Sequence, residues 1–320
     1  MTYETFQQEV LTELQRKHFA GITPELTHQQ KRNGQVRHGI AFHNDRTNAS
    51  PVIYLEEFYT RYQATGNFAG IIDILTDLYS RLPVIQVDER KLSDFSFAKD
   101  KITMKLINTE KNRAFLETVP HIPFYDLSII FYQILKIEHG RIVDMAISNE
   151  LLEKWHMDVE TLHVCALSNY TRLSPVRFTS MKQQILDMGF PLHELIPESD
   201  GTLDEEMDED LDTGMYLLSN ERMTDGAVLI TCKNLMDAIG HFFGENYYIL
   251  PSSVHEVLLL PESKVLSKES LDMMVQDVNQ TELMPEDYLS DHTYYFNRSE
   301  KNTTLFLLQN ASHHAIGGIF

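Results

Sequence analysis

The chain has 320 residues, 42% of them hydrophobic and 23% charged, which is the composition of a folded globular chain and excludes disorder along its whole length. Its 27 Lys and Arg stand against 47 Asp and Glu, a formal net charge of −20, so the mean surface potential repels a phosphate backbone and no direct nucleic-acid partner is expected. The opening residues, Met1-Thr2-Tyr3-Glu4-Thr5-Phe6, lack the basic start and apolar core of a signal peptide, and no apolar run approaches the ~20 residues that span a bilayer. With only Cys165 and Cys232 present, the chain reads as a cytoplasmic protein with two buried thiols, no disulfide framework and no membrane partner.

Phe6, Val10, Leu11 and Leu14 fall at helical spacing behind a threonine cap, predicting an amphipathic helix over 3–19, with a loop after it. Asn33-Gly34 is a tight-turn pair that opens an alternating strand at 35–42. Pro51 is placed as an early residue of a helix that carries Ile53, Leu55, Phe58 and Tyr62 and stops near Gly66. A second helix follows, striped by Phe68, Ile71, Ile72, Leu75 and Leu78, and the two read as a packed pair. Residues 84–99 form a mixed linker, so 1–95 is taken as a smaller, helix-rich N-terminal region.

From residue 100 the pattern is richer in strands: one at 102–107, a short helix at 113–117, and an antiparallel hairpin of 125–137 with 141–148. An acidic cap opens a helix at 158–167, and another helix is expected at 181–188. The run from Glu198 to Asp210 repels itself and predicts an exposed acidic loop at 198–212. Beyond it come strands at 215–218 and 227–231, a helix at 233–243, strands at 247–250 and 255–260, a helix at 268–278 and a strand at 294–296. Hairpins interrupted by helices, without a βαβ series, predict an α+β fold with an antiparallel sheet and packed helices. On this reading 96–298 is the strand-rich domain and 299–320 a C-terminal tail.

Pro251-Ser252-Ser253-Val254-His255-Glu256 sets hydroxyl, imidazole and carboxylate beside a turn, so His255 is a candidate base for Ser253 or a candidate ligand, with Glu256 beside it. Along a strand His255 and Glu256 would point to opposite faces, which favours a turn capped by serine hydroxyls. Asp291 and His292 are further candidates, as is the terminal His313-His314 pair. His241 and Glu245 have the spacing of two ligands on one helix face, but a helix stop at Gly244 removes Glu245 from it. Tyr54, Phe58, Tyr59 and Tyr62 read as a packing stripe that offers Tyr54 and Tyr59 as binding anchors, and Asp208, Glu209 and Asp210 offer a dock for a basic partner. His-Glu-x-x-His, paired Cys-x-x-Cys, Gly-x-Ser-x-Gly and the phosphate-binding glycine motifs are all absent, so neither a cofactor nor a metal is expected.

Several stretches carry a family resemblance: Asn33-Gly34-Gln35-Val36, Ser50-Pro51-Val52-Ile53-Tyr54-Leu55-Glu56-Glu57-Phe58-Tyr59, and Val119-Pro120-His121-Ile122-Pro123-Phe124-Tyr125-Asp126-Leu127. Residues 248–261, 274–282 and Leu289-Ser290-Asp291-His292-Thr293-Tyr294-Tyr295 extend it. In order and spacing they resemble an uncharacterised bacterial family, the domain of unknown function five-six-eight-eight, over most of the chain up to residue 298. The resemblance implies no activity and no catalytic residues. The expectation is therefore a non-catalytic intracellular binding or regulatory protein with a protein partner. The alternative is a hydrolase or metal-dependent enzyme built on Ser253, His255, Asp291 and His292, and a third reading has the acidic surface imitate nucleic acid.

Overall fold

A computed structural model describes residues 1–17, 21–44, 48, 50–81, 88–138, 141–187, 214–265, 267–298 and 304–307. The acidic run at 198–212 and the His313-His314 pair lie outside the described residues. The chain divides into two units, Met1–Asp94 and Phe95–Phe320.

In the first unit, Thr2 accepts the Thr5 amide and so caps helix α1 (Tyr3–Arg16), which buries Phe6, Val10 and Leu14. Strand β1 (Ile22–Gln30) pairs antiparallel with β2 (Val36–Asn44) from Ile22↔Asn44 to Gln30↔Val36, around the expected turn at Asn33. β1 occupies what the sequence suggested was a loop. Its pattern is weak and includes Pro24, which an edge strand tolerates, so the strand exists through its pairing with β2.

The helix expected from Pro51 is also corrected. Strand β3 (Val52–Tyr54) pairs with β2 through Ile40↔Ile53, and helix α2 (Glu56–Thr65) begins only after it. Gly39 permits this, because a Cβ there would lie 2.5 Å from the Ile53 carbonyl oxygen. Helix α3 (Phe68–Ser80), capped by Asn67, adds Ile71, Ile72 and Leu75 to a core with Phe6, Val10, Ile40, Phe42 and Leu55. Helix α4 (Glu89–Ser93) falls inside the stretch read as a linker.

The second unit starts with helix α5 (Phe95–Ala98) and contains two antiparallel sheets. In the first sheet, β4 (Ile102–Asn108), β5 (His121–Phe124) and β7 (Arg141–Ala146) all pair with the long strand β6 (Leu127–Glu138). Helices α6 (Arg113–Leu116), α7 (Asn149–Lys154) and α8 (Val159–Leu173) accompany it, the last capped by Asp158 as expected. After β8 (Val176–Ser180), α9 (Met181–Asp187) and β9 (Tyr216–Asn220) come α10 (Lys233–Phe243), β10 (Tyr247–Pro251), β11 (Val257–Pro261), α11 (Glu269–Thr281), β12 (Tyr294–Asn297) and β13 (Thr304–Leu307). The second sheet runs β13-β12-β10-β11-β9-β8, so part of the C-terminal tail is strand. The recorded pairings are antiparallel and helices pack with the sheets, which makes the fold α+β.

The core of this unit joins Met104, Leu106 and Phe131 of the first sheet to Leu218, Ile249 and Leu259 of the second. Between them lies Gly226–Thr231, a fully buried 3-10 helix and not the expected strand. A short apolar run serves either conformation, and among the described residues this one joins neither sheet. Cys165 and Cys232 are free and half-buried, a correction to the expectation of buried thiols, and burial pushes the Cys232 thiol up to about 11. Among the described residues no helix is long and apolar enough to cross a membrane.

His163 on α8 lies against Phe131, and its Nε2 is buried with no hydrogen-bond partner among the described residues. Burial lowers its pKa below the usual histidine value. The unfolded chain therefore takes up a proton at higher pH than the folded one, near ~6.5. Stability from this residue is present above that pH and is lost as pH falls toward the lower folded value. Thermal unfolding measured from about pH 7.5 to 5.5 is expected to show a steeper decline for the wild type than for His163→Phe.

Candidate functional site

Lys105 sits in the middle of β4 between buried Met104 and Leu106, and strand register decides what it meets. Thr103 lies opposite Tyr132 of β6, and Ile134 lies opposite Asp144 of β7. Side chains two apart share a face, so Thr103, Lys105, Tyr132, Ile134 and Asp144 stand on one side of this sheet. The Lys105 ammonium reaches Asp144 Oδ2 at 2.8 Å and Asp225 Oδ2 at 3.0 Å, and it lies 4.0 Å from the centre of the Tyr132 ring. Burial by itself would drive the ammonium toward neutrality, but Asp225 and Asp144 outweigh it and hold the pKa above the usual lysine value.

Thr103, Lys105, Asp144 and Asp225 line one wall of a cleft of about 510 Å³. Ile142 gives it apolar surface, Tyr170 and Ser174 give hydroxyls, and Arg222 gives a second cation. The Tyr170 hydroxyl donates to the Asp225 carbonyl at 3.3 Å and accepts from Asn220 Nδ2 at 3.1 Å. Arg222 is tethered through Nη1, which donates to Ser174 Oγ at 3.2 Å and to the Leu173 carbonyl.

Asp225 occupies the left-handed region at φ 53°, an uncommon place for a side chain other than glycine. The surrounding bonds explain how it is held there. Its amide donates to His255 Nδ1 at 3.1 Å, and the Gly226 amide and Ser219 hydroxyl both donate to the His255 carbonyl, at 2.9 and 2.7 Å. His255 Nε2 lies 3.1 Å from Asp287 Oδ1. Because Nδ1 accepts a backbone N–H it carries no proton, so the neutral ring is the Nε2–H tautomer donating to Asp287. His255 thus positions Asp225. His255→Ala strips an acceptor from that amide and is expected to cost about 1–3 kcal/mol in chemical denaturation.

The other sequence candidates are distributed as follows. Strand β11 begins at Val257, so His255 and Glu256 lie in the turn before it and the opposite-faces objection does not apply. Ser253 is 3% exposed; its hydroxyl donates to Glu256 Oε1 at 2.9 Å and accepts the His255 backbone amide at 2.9 Å, while Ser252 also donates to Glu256. The serine therefore meets the histidine backbone, and the imidazole is turned to Asp225 and Asp287. Asp291 accepts from Asn279 Nδ2 at 2.8 Å, and the His292 amide donates to Ser290 Oγ at 3.0 Å. Ser290 and Tyr294 in turn donate to the two oxygens of Asp126, each at 2.6 Å. The stretches around residues 126, 279 and 290 that carry the family resemblance thus meet through one hydrogen-bond network.

Tyr54 stands on β3, with Lys31 Nζ 4.4 Å and Arg37 Cζ 4.8 Å from its ring centre. Tyr59 packs on Tyr3 and Phe6 at 4.9 and 5.3 Å and donates its hydroxyl to the Met1 carbonyl, so it is engaged inside its own unit. His241 bonds Arg298 and Glu245 bonds Ser263, which separates that pair as the helix stop at Gly244 implied. Asp208, Glu209 and Asp210 lie outside the described residues. Among the described residues no group of three or more His, Cys, Asp or Glu side chains is arranged to hold a metal.

Lys105, Asp144, Tyr170, Arg222 and Asp225 were not singled out by motif reading. One signal was present: Ile102-Thr103-Met104-Lys105-Leu106-Ile107 places a lysine within an apolar strand, and a buried lysine requires anionic partners.

Fold and site together define an α+β protein with a charged cleft whose strained aspartate is braced by a histidine. The chain belongs to the family of unknown function DUF5688, which matches residues 3–298. No curated protein and no solved structure matches it.

Proposed function

We propose that this is a non-catalytic binding protein whose ligand is a small polar molecule seated in the cleft beside Lys105. The observation that carries this reading is the Asp144–Lys105–Asp225 trio, a set of charges on the wall of a cleft of ligand size. A lysine held protonated is a poor base and nucleophile, and His255 has both ring nitrogens engaged by Asp225 and Asp287. A Ser253 hydrolase would need the serine hydroxyl at ~3 Å from a ring nitrogen of His255, whereas that hydroxyl bonds Glu256 and a backbone amide.

Thr224 lines the cleft and is exposed, so it can be enlarged without disturbing the core. Screening polar metabolites by thermal unfolding is expected to find a compound that stabilises the wild type, by about 2.7 kcal/mol at a hundred times its Kd. Thr224→Trp should fold normally and lose that stabilisation. Undiminished binding by Thr224→Trp would place the ligand elsewhere and overturn the proposal.

A further inference from the structure

We infer that the cleft takes a small monocarboxylate of the hydroxy-acid class, with its carboxylate on the Arg222 guanidinium and its hydroxyl on the side chain of Thr103. The inference rests on the binding reading above and adds the chemistry of the ligand.

The two cations of the lining are placed differently. Lys105 is engaged inside the protein, because two of its donors are directed to Asp144 and Asp225 and its ammonium lies against the Tyr132 face. Arg222 is half-buried and stands in no ion pair among the described residues. Its Nη1 donates to the Leu173 carbonyl and to Ser174 Oγ, which ties the guanidinium to the end of α8, while Nε and Nη2 have no acceptor among the described residues. Those two groups carry parallel N–H bonds at the spacing of the two oxygens of a carboxylate. A half-buried cation with an open fork is completed by an anion from solution.

The hydroxyls of the lining set the rest of the ligand. Thr103 is 6% exposed, shares the Lys105 face of β4 and lines the cleft, and its hydroxyl has no hydrogen-bond partner among the described residues. Ser174, also 6% exposed, accepts from Arg222 and keeps its own hydrogen for an acceptor beside the guanidinium. A buried hydroxyl left unpaired costs stability, and an oxygen-bearing ligand supplies the missing partner. A phosphate would bring a second negative charge to a lining that already holds Asp144 and Asp225, whereas a carboxylate brings one. Ile142 offers apolar surface for a short carbon chain, and about 510 Å³ admits a molecule of this size.

Titration calorimetry on the full chain tests this with a panel of small hydroxy acids, inorganic phosphate and, for any acid that binds, two analogues of the same carbon chain: the carboxamide and the acid without its hydroxyl. The hydroxy acid is expected to bind, the carboxamide at least about tenfold more weakly and the deoxy acid about fivefold more weakly. Arg222→Lys keeps the charge but removes the fork and is expected to lose at least about tenfold, and Thr103→Val to lose the preference for the hydroxy acid over the deoxy acid. The analogue series uses only wild-type protein, so it decides the matter even where a variant fails to fold. A carboxamide, a deoxy acid or phosphate binding as tightly as the hydroxy acid overturns the hydroxy-acid assignment and leaves the cleft reading intact. The same holds if no acid binds but another polar compound shows binding that Thr224→Trp abolishes. If no compound binds in a Thr224→Trp-sensitive way, both the assignment and the cleft reading fall.

Discussion

Lys105→Met is expected to cost about 3 kcal/mol of folding stability, at the lower end of the range for breaking a buried pair because the cleft admits some water. Methionine keeps the length and apolar stem of lysine, so β4 loses little packing. What remains is Asp144 and Asp225, each within about 3 Å of the lost ammonium, as two carboxylates repelling one another at sites only 19% and 15% exposed. Adding Asp144→Asn and Asp225→Asn to the same chain is expected to recover most of the loss, since the triple replacement removes the repulsion between the two carboxylates. Urea denaturation of the single and triple variants measures both effects. A cost below about 1 kcal/mol for Lys105→Met would mean that water already serves the two carboxylates and that the trio is a surface pair.

Gly226→Ala is expected to destabilise by about 2–3 kcal/mol and to abolish binding in the cleft. A Cβ at this position would lie 2.4 Å from Ser219 Oγ, 2.6 Å from the His255 carbonyl oxygen and 2.9 Å from the Asn220 amide nitrogen. Two of those three are backbone atoms inside the hydrogen-bonded junction of β9 with the turn before β11, so they cannot rotate away. Relief has to come from moving the 225–226 backbone, which breaks the Gly226 amide bond to His255 and withdraws the Asp225 carboxylate from Lys105. Comparing urea midpoints with ligand affinity at a temperature where the variant is folded separates the two consequences. Wild-type affinity in a folded Gly226→Ala chain would show that Asp225 does not need this backbone.

Much of the local architecture was legible in the residues themselves. Thr2, Asp158 and the Asn33-Gly34 pair act through hydrogen bonds or backbone angles within a few positions, and each capped a helix or closed a turn where local chemistry placed it. The motif from Pro251 to Glu256 was read as a turn closed by serine hydroxyls, and Ser252 and Ser253 do bond Glu256 there. The resemblance to a family of unknown function was visible in the spacing of short stretches and extends over residues 3–298.

Where the reading failed, the deciding interaction came from far along the chain. β1 and β3 are strands because β2 lies between them, and Gly226–Thr231 is a 3-10 helix buried in the core that the two sheets share. The cleft shows the same division. The sequence by itself determined the composition, the α+β pattern, the caps and turns, and a lysine embedded in an apolar strand. Only the tertiary structure decided that Asp144 and Asp225, 39 and 120 residues further on, neutralise that lysine, and that His255 holds the second of them in place. The physical reason is range: a cap or turn is closed by groups a few bonds apart, whereas a buried charge is stabilised by whichever partners strand register and chain crossing bring to within about 3 Å, and no local pattern encodes that.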